Sequence, residues 1–299
     1  MSILNGKAQG ITVLLHGGAG GQDPKTPTAL ATATAALRRI SEQAMKKLLA
    51  GADALDVAVF CLQSMEDDPQ FNAGLGSALQ ADGVPRLTAA MMNGATQTFS
   101  GVIGATNVSH PSVLARHLQN ASSRVLSSPG VEHLARELKQ PVVSLLTQER
   151  LQRWVEKAGE SCCDTVGCLI VSATGQLVAG TSTGGRGFEM PGRVSDSATV
   201  AGTYCSSSAA ISATGIGEQI VDDAVAARIE TRRRDGLPLA KASQKTYEEA
   251  MSRGRSYGWI AADSDGHWSV AYTTPAMSYV VRSATDGEIA ASLAQGLPT

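Results

Sequence analysis

Apolar residues in this chain keep to one period at a time, and the two periods occupy different stretches. In the first half the pattern is mainly helical. Leu30, Leu37, Ile40, Ala44 and Leu48 recur on one face, with Arg38, Arg39, Glu42, Lys46 and Lys47 mostly elsewhere. Gly51 ends that helix, and Asp53 is placed to cap a second one running through Leu62. Further helices are predicted from Pro111, over Gly130 to Leu138 and over Thr147 to Lys157. The second half turns to short β-rich runs: Thr165 to Ser172 and Gln176 to Thr181 as a hairpin about Ala173-Thr174-Gly175, then Ala209 to Ala213. Trp259 to Ala262, Trp268 to Tyr272 and Tyr279 to Val281 are read as strands too. Earlier strands are expected at Ile11 to Leu15, Arg86 to Met92 and Gly101 to Ala105, and helices at Ile216 to about Arg233 and before Tyr257. Strands and helices are therefore segregated rather than strictly alternating. That favours an α+β fold, in which stacked sheets are covered by helices, over a doubly wound parallel sheet.

With 299 residues, 43% of them hydrophobic and 17% charged, the chain can bury a large core. A formal net charge of −2 and 4% aromatic residues argue against nucleic acid and against an anionic membrane as partners. No window reaches the run of about 18 apolar residues that a membrane span needs. The first ten residues lack the apolar core of a secretory signal, and the five cysteines form no disulfide framework. A cytoplasmic location is the expectation.

The segment that carries chemistry is Ser161-Cys-Cys-Asp-Thr-Val-Gly-Cys-Leu-Ile-Val. A threonine hydroxyl is a weak nucleophile unless a base takes its proton, and a threonine at a chain terminus carries that base in its own α-amine. Such an amine titrates near ~7.7–8.0, so a useful fraction is neutral at physiological pH. The chain must be cut between Asp164 and Thr165 to expose it. Taken alone, an Asp-Thr pair at a strand start is more simply a turn followed by a β-branched residue.

Six segments in order change that balance: His16-Gly-Gly-Ala-Gly20, Phe71-Asn-Ala-Gly-Leu-Gly76, Asp164-Thr-Val-Gly167, Thr181-Ser-Thr-Gly-Gly185, Pro191-Gly-Arg-Val-Ser-Asp196 and Thr214-Gly-Ile-Gly-Glu218. Together they resemble the plant-type asparaginases and isoaspartyl peptidases, from about residue 11 to residue 234. The resemblance implies a four-layer αββα N-terminal-nucleophile hydrolase, one domain over residues 1–299. It also implies self-cleavage into 1–164 and 165–299, and a homodimer of cleaved protomers. It makes Thr165 the nucleophile, supported by Thr183, with Thr214 and Gly215 as the oxyanion hole. Arg193 would take the substrate α-carboxylate and Asp196 its α-ammonium, with Asn72 and Gly217 also at the site. The substrates implied are asparagine and β-aspartyl dipeptides, with no cofactor for catalysis. A sodium ion on the backbone carbonyls of Met65, Glu66, Asp68, Phe71, Ala73 and Leu75 is implied as well. Blander readings remain for several of these: a strand-end Thr183, a loop glycine pair at 215 and 217, a surface ion pair between Arg193 and Asp196, and a plain loop over residues 65–75.

The chain also departs from the family. The linker before Thr165 is short. Thr88 and Asn93 stand where a strand near the site typically carries two aspartates, and Ser195 replaces the glycine before Asp196. Two rivals follow: a glycosylasparaginase, and a family member that never cuts and serves in binding or regulation. Adjacent Cys162 and Cys163 do not have zinc-site spacing and read as small linker residues. The basic run Thr231-Arg-Arg-Arg suits a helix C-terminus.

Overall fold

The computed structural model describes residues 2–20, 27–156 and 164–292, so Cys162 and Cys163 lie outside the described residues. Strands β1 (Ser2–Lys7) and β2 (Thr12–Gly18) precede helices α1 (Pro27–Leu49) and α2 (Ala54–Glu66). Then come β3 (Leu87–Asn93), β4 (Thr98–Ala105), α3 (Pro111–His117), β5 (Val125–Ser127), α4 (Gly130–Glu137) and α5 (Gln148–Glu156). The second half holds β6 (Val166–Val171), β7 (Leu177–Thr183), β8 (Thr203–Cys205), β9 (Ala209–Gly215), α6 (Gly217–Asp223), α7 (Val225–Arg234) and α8 (Leu239–Ser252). Strands β10 (Tyr257–Asp263), β11 (His267–Tyr272), β12 (Ser278–Ser283) and β13 (Gly287–Ala291) follow.

These strands form two sheets. One has eight strands in the order β13-β12-β2-β6-β7-β3-β4-β5, the other five in the order β1-β11-β10-β9-β8. Only β4 and β5 pair parallel among them. Helices α1 and α2 lie on the larger sheet, where the predicted stripe of α1 is buried at Leu37, Ile40, Ala44 and Leu48. Helices α7 and α8 lie on the smaller sheet and cover Trp259, Ile211 and Ala271. Between the sheets Leu14, Leu169, Ala179, Ile260 and Val270 form a core of their own. Strands buried on both faces read as continuous apolar runs, which is why β6, β7, β9 and β10 are legible in the sequence.

Local signals work where expected. Asp53 Oδ1 accepts from the amides of Leu55 at 2.9 Å and Asp56 at 3.2 Å, a cap worth about 1 kcal/mol. Gly51 closes α1 at φ 87°, a conformation open to glycine. The basic run at the end of α7 is taken up by Glu249, Asp263, Asp265 and Glu230. Two expectations need correction. The single helix predicted from Ile216 to Arg233 is two helices, broken at Ala224 (φ 47°). There the buried carboxylate of Asp223 ties the end of α6 to Tyr257 Oη at 2.8 Å and Arg255 Nε at 3.1 Å. Strands β1, β5, β8 and β13 were not foreseen. They are short or half exposed, so no alternation marks them. Among the described residues, no helix is long and apolar enough to cross a membrane.

Candidate active site

The hairpin β6–β7 brings residues on either side of residue 165 together. Val166 pairs with Ser182, so Thr165, just before β6, lies beside Thr183 at the end of β7. The Thr165 hydroxyl donates to Thr183 Oγ1 at 3.2 Å, and both residues are buried. Strand β9 of the other sheet ends at the same edge. There Thr214 Oγ1 accepts from the amide of Thr165 at 3.2 Å and from the amide of Ala19 at 3.2 Å. Those two donors fill the oxygen's lone pairs, which leaves the Thr214 hydroxyl proton to be donated elsewhere.

The peptide before Thr165 is held as firmly. The Asp164 carbonyl accepts from Asn72 Nδ2 at 2.8 Å and lies 3.5 Å from Thr183 Oγ1. Asn72 is itself braced, donating also to the Gly185 carbonyl at 2.6 Å and accepting from the Ala78 amide at 2.8 Å. The Asp164 side chain occupies a cradle made by the first glycine motif. A Cβ on Gly18 would stand 2.5 Å, and one on Gly20 2.6 Å, from Asp164 Oδ1. Desolvation pushes the Asp164 carboxyl up to about 6, against the pull of Arg150 and Arg153. Gly167 is fixed by a similar constraint, because a Cβ there would meet His16 Nε2 and Ser212 Oγ. His16 bonds Ser212 Oγ at 2.9 Å, and burial lowers it to about 3 against the opposing pull of the Thr165 backbone carbonyl, so the imidazole is neutral.

A cleft of about 10 Å³ opens beside Thr165, with Thr183, Arg193, Asp196 and Gly215 in its wall. Asp164 forms part of that wall too, and the space suits one water rather than an amino acid. Arg193 does not pair with Asp196. Its Nε donates to Glu218 Oε1 at 2.8 Å, and its Nη2 has no well-aligned hydrogen bond. Partial burial would raise Glu218, but its own backbone amide and Arg193 hold it below the usual range. Asp196 is 2% exposed; burial raises its carboxyl to about 6, opposed by a hydrogen bond from Ser195. A second depression, lined by Asp56, Arg116 and His117, lies on the α2–α3 surface, where Arg116 is paired with Asp56 at 2.8 Å.

Most of the residues singled out in the sequence thus meet at one edge of the two sheets, with three adjustments. Gly215 ends β9 at φ 133° opposite Tyr257, and the helix expected from Ile216 starts at Gly217 with Ile216 at its N-cap. Gly217 is outside the cleft wall and instead makes room for Ser195 and Asp196. Of the two missing aspartates, only Thr88 is near the site, opposite Thr183 in the sheet. Asn93 pairs with Val178 at the far end of β3 and caps the turn to Ala95. Sequence reasoning did not foresee the Glu218 partner of Arg193 or the Asp164 cradle. Glu218 is part of a quoted motif, but nothing in that motif says which cation it meets.

The loop after α2, where the sequence led to the expectation of a sodium ion, is packed tightly on its own backbone. A Cβ on Gly74 would lie 2.2 Å from the Glu66 carbonyl oxygen, and one on Gly76 2.1 Å from that of Phe71 and 2.5 Å from that of Pro69. These carbonyls lie against the two glycines, so a side chain at position 74 or 76 would collide with the backbone of the same loop.

Comparison with known proteins identifies the family. The model of a family described as asparaginase matches residues 9–290. The chain belongs to the asparaginase family. An isoaspartyl peptidase/L-asparaginase of Synechocystis sp. is 38% identical over 89% of this chain and 85% of its own length. One of the same name from Nostoc sp. is 40% identical over 85% of this chain and 86% of its own. A plant-type L-asparaginase of Pyrococcus abyssi is 33% identical, covering 90% of this chain and 95% of its own length. This family member is an enzyme, a hydrolase, which disfavours the reading as a purely binding or regulatory protein.

Proposed function

We propose that this family member is a threonine amidohydrolase that activates itself by cutting before Thr165, and that it then hydrolyses asparagine and β-aspartyl dipeptides. Its sheets and covering helices then correspond to a four-layer αββα sandwich of the N-terminal-nucleophile class. The observation that carries the reading is the grip on the Asp164 carbonyl: Asn72 Nδ2 at 2.8 Å, beside a Thr165 hydroxyl bonded to Thr183. Attack of Thr165 Oγ1 on that carbonyl puts negative charge on an oxygen that already faces a preorganised donor. The C–N bond breaks, the nitrogen leaves protonated as the Thr165 amine, and water hydrolyses the resulting ester to free the Asp164 carboxylate.

The new amine stays 3.2 Å from Thr214 Oγ1 if the strand does not move, and it is the base for the second reaction. Departure of Asp164 enlarges the cleft. Arg193, a planar fork, binds the α-carboxylate and Asp196 binds the α-ammonium. Thr165 attacks the β-carbonyl, with the Thr214 hydroxyl and the Gly215 backbone at the developing oxyanion. Ammonia or an amino acid leaves, and water releases aspartate from the β-aspartyl ester. A sodium ion on the carbonyls of residues 65–75 would fix the loop that carries Asn72. Homodimerisation of the cleaved protomers accompanies this reading, by likeness to the family.

A denaturing gel tests it. Active protein separates into 1–164 and 165–299, and Thr165→Ala stays whole. Asparagine, a β-aspartyl dipeptide and a glycosylated asparagine are then assayed side by side. An intact chain with no amide turnover would overturn the proposal, and turnover of the glycosylated substrate alone would move it to the glycosylasparaginases.

A further inference from the structure

The wall of the cleft beside Thr165 carries four charged residues, Asp164, Arg186, Arg193 and Asp196. The proposed reaction employs three of them. Asp164 carries the peptide that is cut, Arg193 takes the α-carboxylate and Asp196 the α-ammonium. Asp196 accepts from the Ser195 hydroxyl through Oδ1, and its buried Oδ2 has no hydrogen-bond partner among the described residues. Arg186 has no task in that scheme.

Arg186 stands on a braced turn. The Gly185 amide donates to Thr183 Oγ1 at 3.1 Å, and the Gly185 carbonyl accepts from Asn72 Nδ2 at 2.6 Å. The Arg186 amide donates to Glu189 Oε1 at 3.1 Å, and the Phe188 amide to the Leu79 carbonyl at 2.8 Å. Gly185 sits at φ 87°, where a Cβ would also collide with Glu189 Oε1, so the turn requires its glycine. The base of Arg186 is thereby tied to the hydroxyl that bonds the nucleophile. Its Nη1 lies 3.5 Å from Glu218 Oε2, whereas Arg193 holds Oε1 of the same carboxylate at 2.8 Å. With 34% of the Arg186 side chain and 52% of the Glu218 side chain exposed, the longer contact is weak and open to exchange with a ligand carboxylate.

The rest of the wall is already assigned. The amino-acid head of the substrate occupies Arg193 and Asp196, and the reacting carbonyl lies at Thr165 and Gly215. What remains is the turn from Thr183 to Arg186. Asparagine places only ammonia beyond the scissile bond. A β-aspartyl dipeptide places an amino acid there, with a free carboxylate that a guanidinium fork matches.

We infer that Arg186 is a specificity-determining residue: its guanidinium binds the free carboxylate of the leaving amino acid, and so favours β-aspartyl dipeptides over the same compounds with that carboxylate amidated. The inference rests on the asparaginase reading of the site and adds to it the group that reads the far side of the scissile bond.

The test compares β-aspartyl-alanine with β-aspartyl-alaninamide, which lacks only that carboxylate, on self-cleaved wild type and Arg186→Gln. The quantity read is the ratio of kcat/KM for the acid to that for the amide, so the unequal basicity of the two leaving amines cancels between enzymes. A charge-assisted contact at a side chain one-third exposed is partly screened, and the ratio should fall by about 5- to 10-fold from wild type to Arg186→Gln. Arg186→Lys keeps the charge and should lose less than about threefold. A general structural role would lower both substrates alike and leave the ratio where it was, which would overturn the inference. A ratio in Arg186→Lys as low as in Arg186→Gln would overturn it too, because charge would then not be what is read. Fragment formation and asparagine turnover are followed in the same samples. A wild type that neither cuts itself nor turns over any of these amides sinks the functional reading, and this inference with it. A working wild type that ignores both dipeptides, or whose ratio the glutamine variant matches, sinks the inference alone.

Discussion

The side-chain amide of Asn72 donates a 2.8 Å hydrogen bond to the carbonyl oxygen of Asp164, a residue 92 positions away in the chain. That oxygen belongs to the one peptide whose cleavage would make Thr165 chain-terminal. Removing the donor should therefore act on self-cleavage before it acts on anything else. Asn72→Ala is expected to slow appearance of the 1–164 and 165–299 fragments about 100- to 1,000-fold, the usual effect of deleting an oxyanion donor. Asn72→Asp keeps the acceptor for the Ala78 amide and turns the donor into a repulsive carboxylate, so it should cut no faster than Asn72→Ala. A gel time course measures both. Cutting at the wild-type rate in folded Asn72→Ala would remove Asn72 from the reaction.

The cradle for Asp164 makes a second claim. A methyl group on Gly20 has 2.6 Å to Asp164 Oδ1, well inside contact distance, so Gly20→Ala must displace that side chain or the peptide attached to it. Misplacement by about 1 Å can cost 100-fold in a reaction that depends on approach geometry, and cleavage should slow by about that order. Asp164→Ala empties the cradle. In that background the added methyl should cost little, so the two substitutions should be strongly non-additive in a double-mutant cycle of cleavage rates. Additive effects would mean that Gly20 serves the backbone alone.

Arg193 lies in the cleft with a side chain 13% exposed, tied to Glu218. Arg193→Ala should raise KM for asparagine with a smaller effect on kcat, at a loss of about 2–5 kcal/mol in kcat/KM. Self-cleavage, which needs no substrate carboxylate, should proceed. Steady-state kinetics beside the gel separates the two, and unchanged KM would exclude Arg193 from substrate binding.

How much of this could be read from the chain depended on whether a residue's neighbours were local. The β6–β7 hairpin and its threonines were legible, because continuous apolar runs about Thr174-Gly175 fix the register that sets Thr165 beside Thr183. Asp53 and Gly51 were legible for the same reason, since a cap is decided within three residues. The partner of Arg193 was not. Asp196 is three residues away and Glu218 twenty-five, and only the packing of α6 against the end of β9 chooses between them. Asn93 was misplaced in the other direction: seven residues of β3 carry it to the opposite end of the sheet from Thr88. The glycines of His16-Gly-Gly-Ala-Gly20 were visible as a motif, but the side chain they accommodate is Asp164, brought there by the order of β2 and β6 in the sheet.

Asp196 itself carries the last prediction, on stability. Burial raises its carboxyl from 3.8 to about 6, so the folded protein holds that proton more tightly than the unfolded chain does. Between those two values the folded state binds more protons, and stability falls as pH rises. Above about 6 the full penalty of an ionised, half-satisfied carboxylate is present, on the order of 1–3 kcal/mol. Asp196→Asn, compared in a Thr165→Ala background so that both chains remain uncut, should melt a few degrees higher at pH 7–8. The gain should shrink as pH falls through 6 and vanish near 4, where the native carboxyl is itself neutral. In the cleavable background the same substitution should abolish asparagine turnover, because the amide cannot pair with an ammonium. Thermal melts from pH 4 to pH 8 decide it. A gap between the two proteins that stays constant with pH would mean that Asp196 is ionised at no cost, and that the donor its buried oxygen lacks is already supplied by the protein.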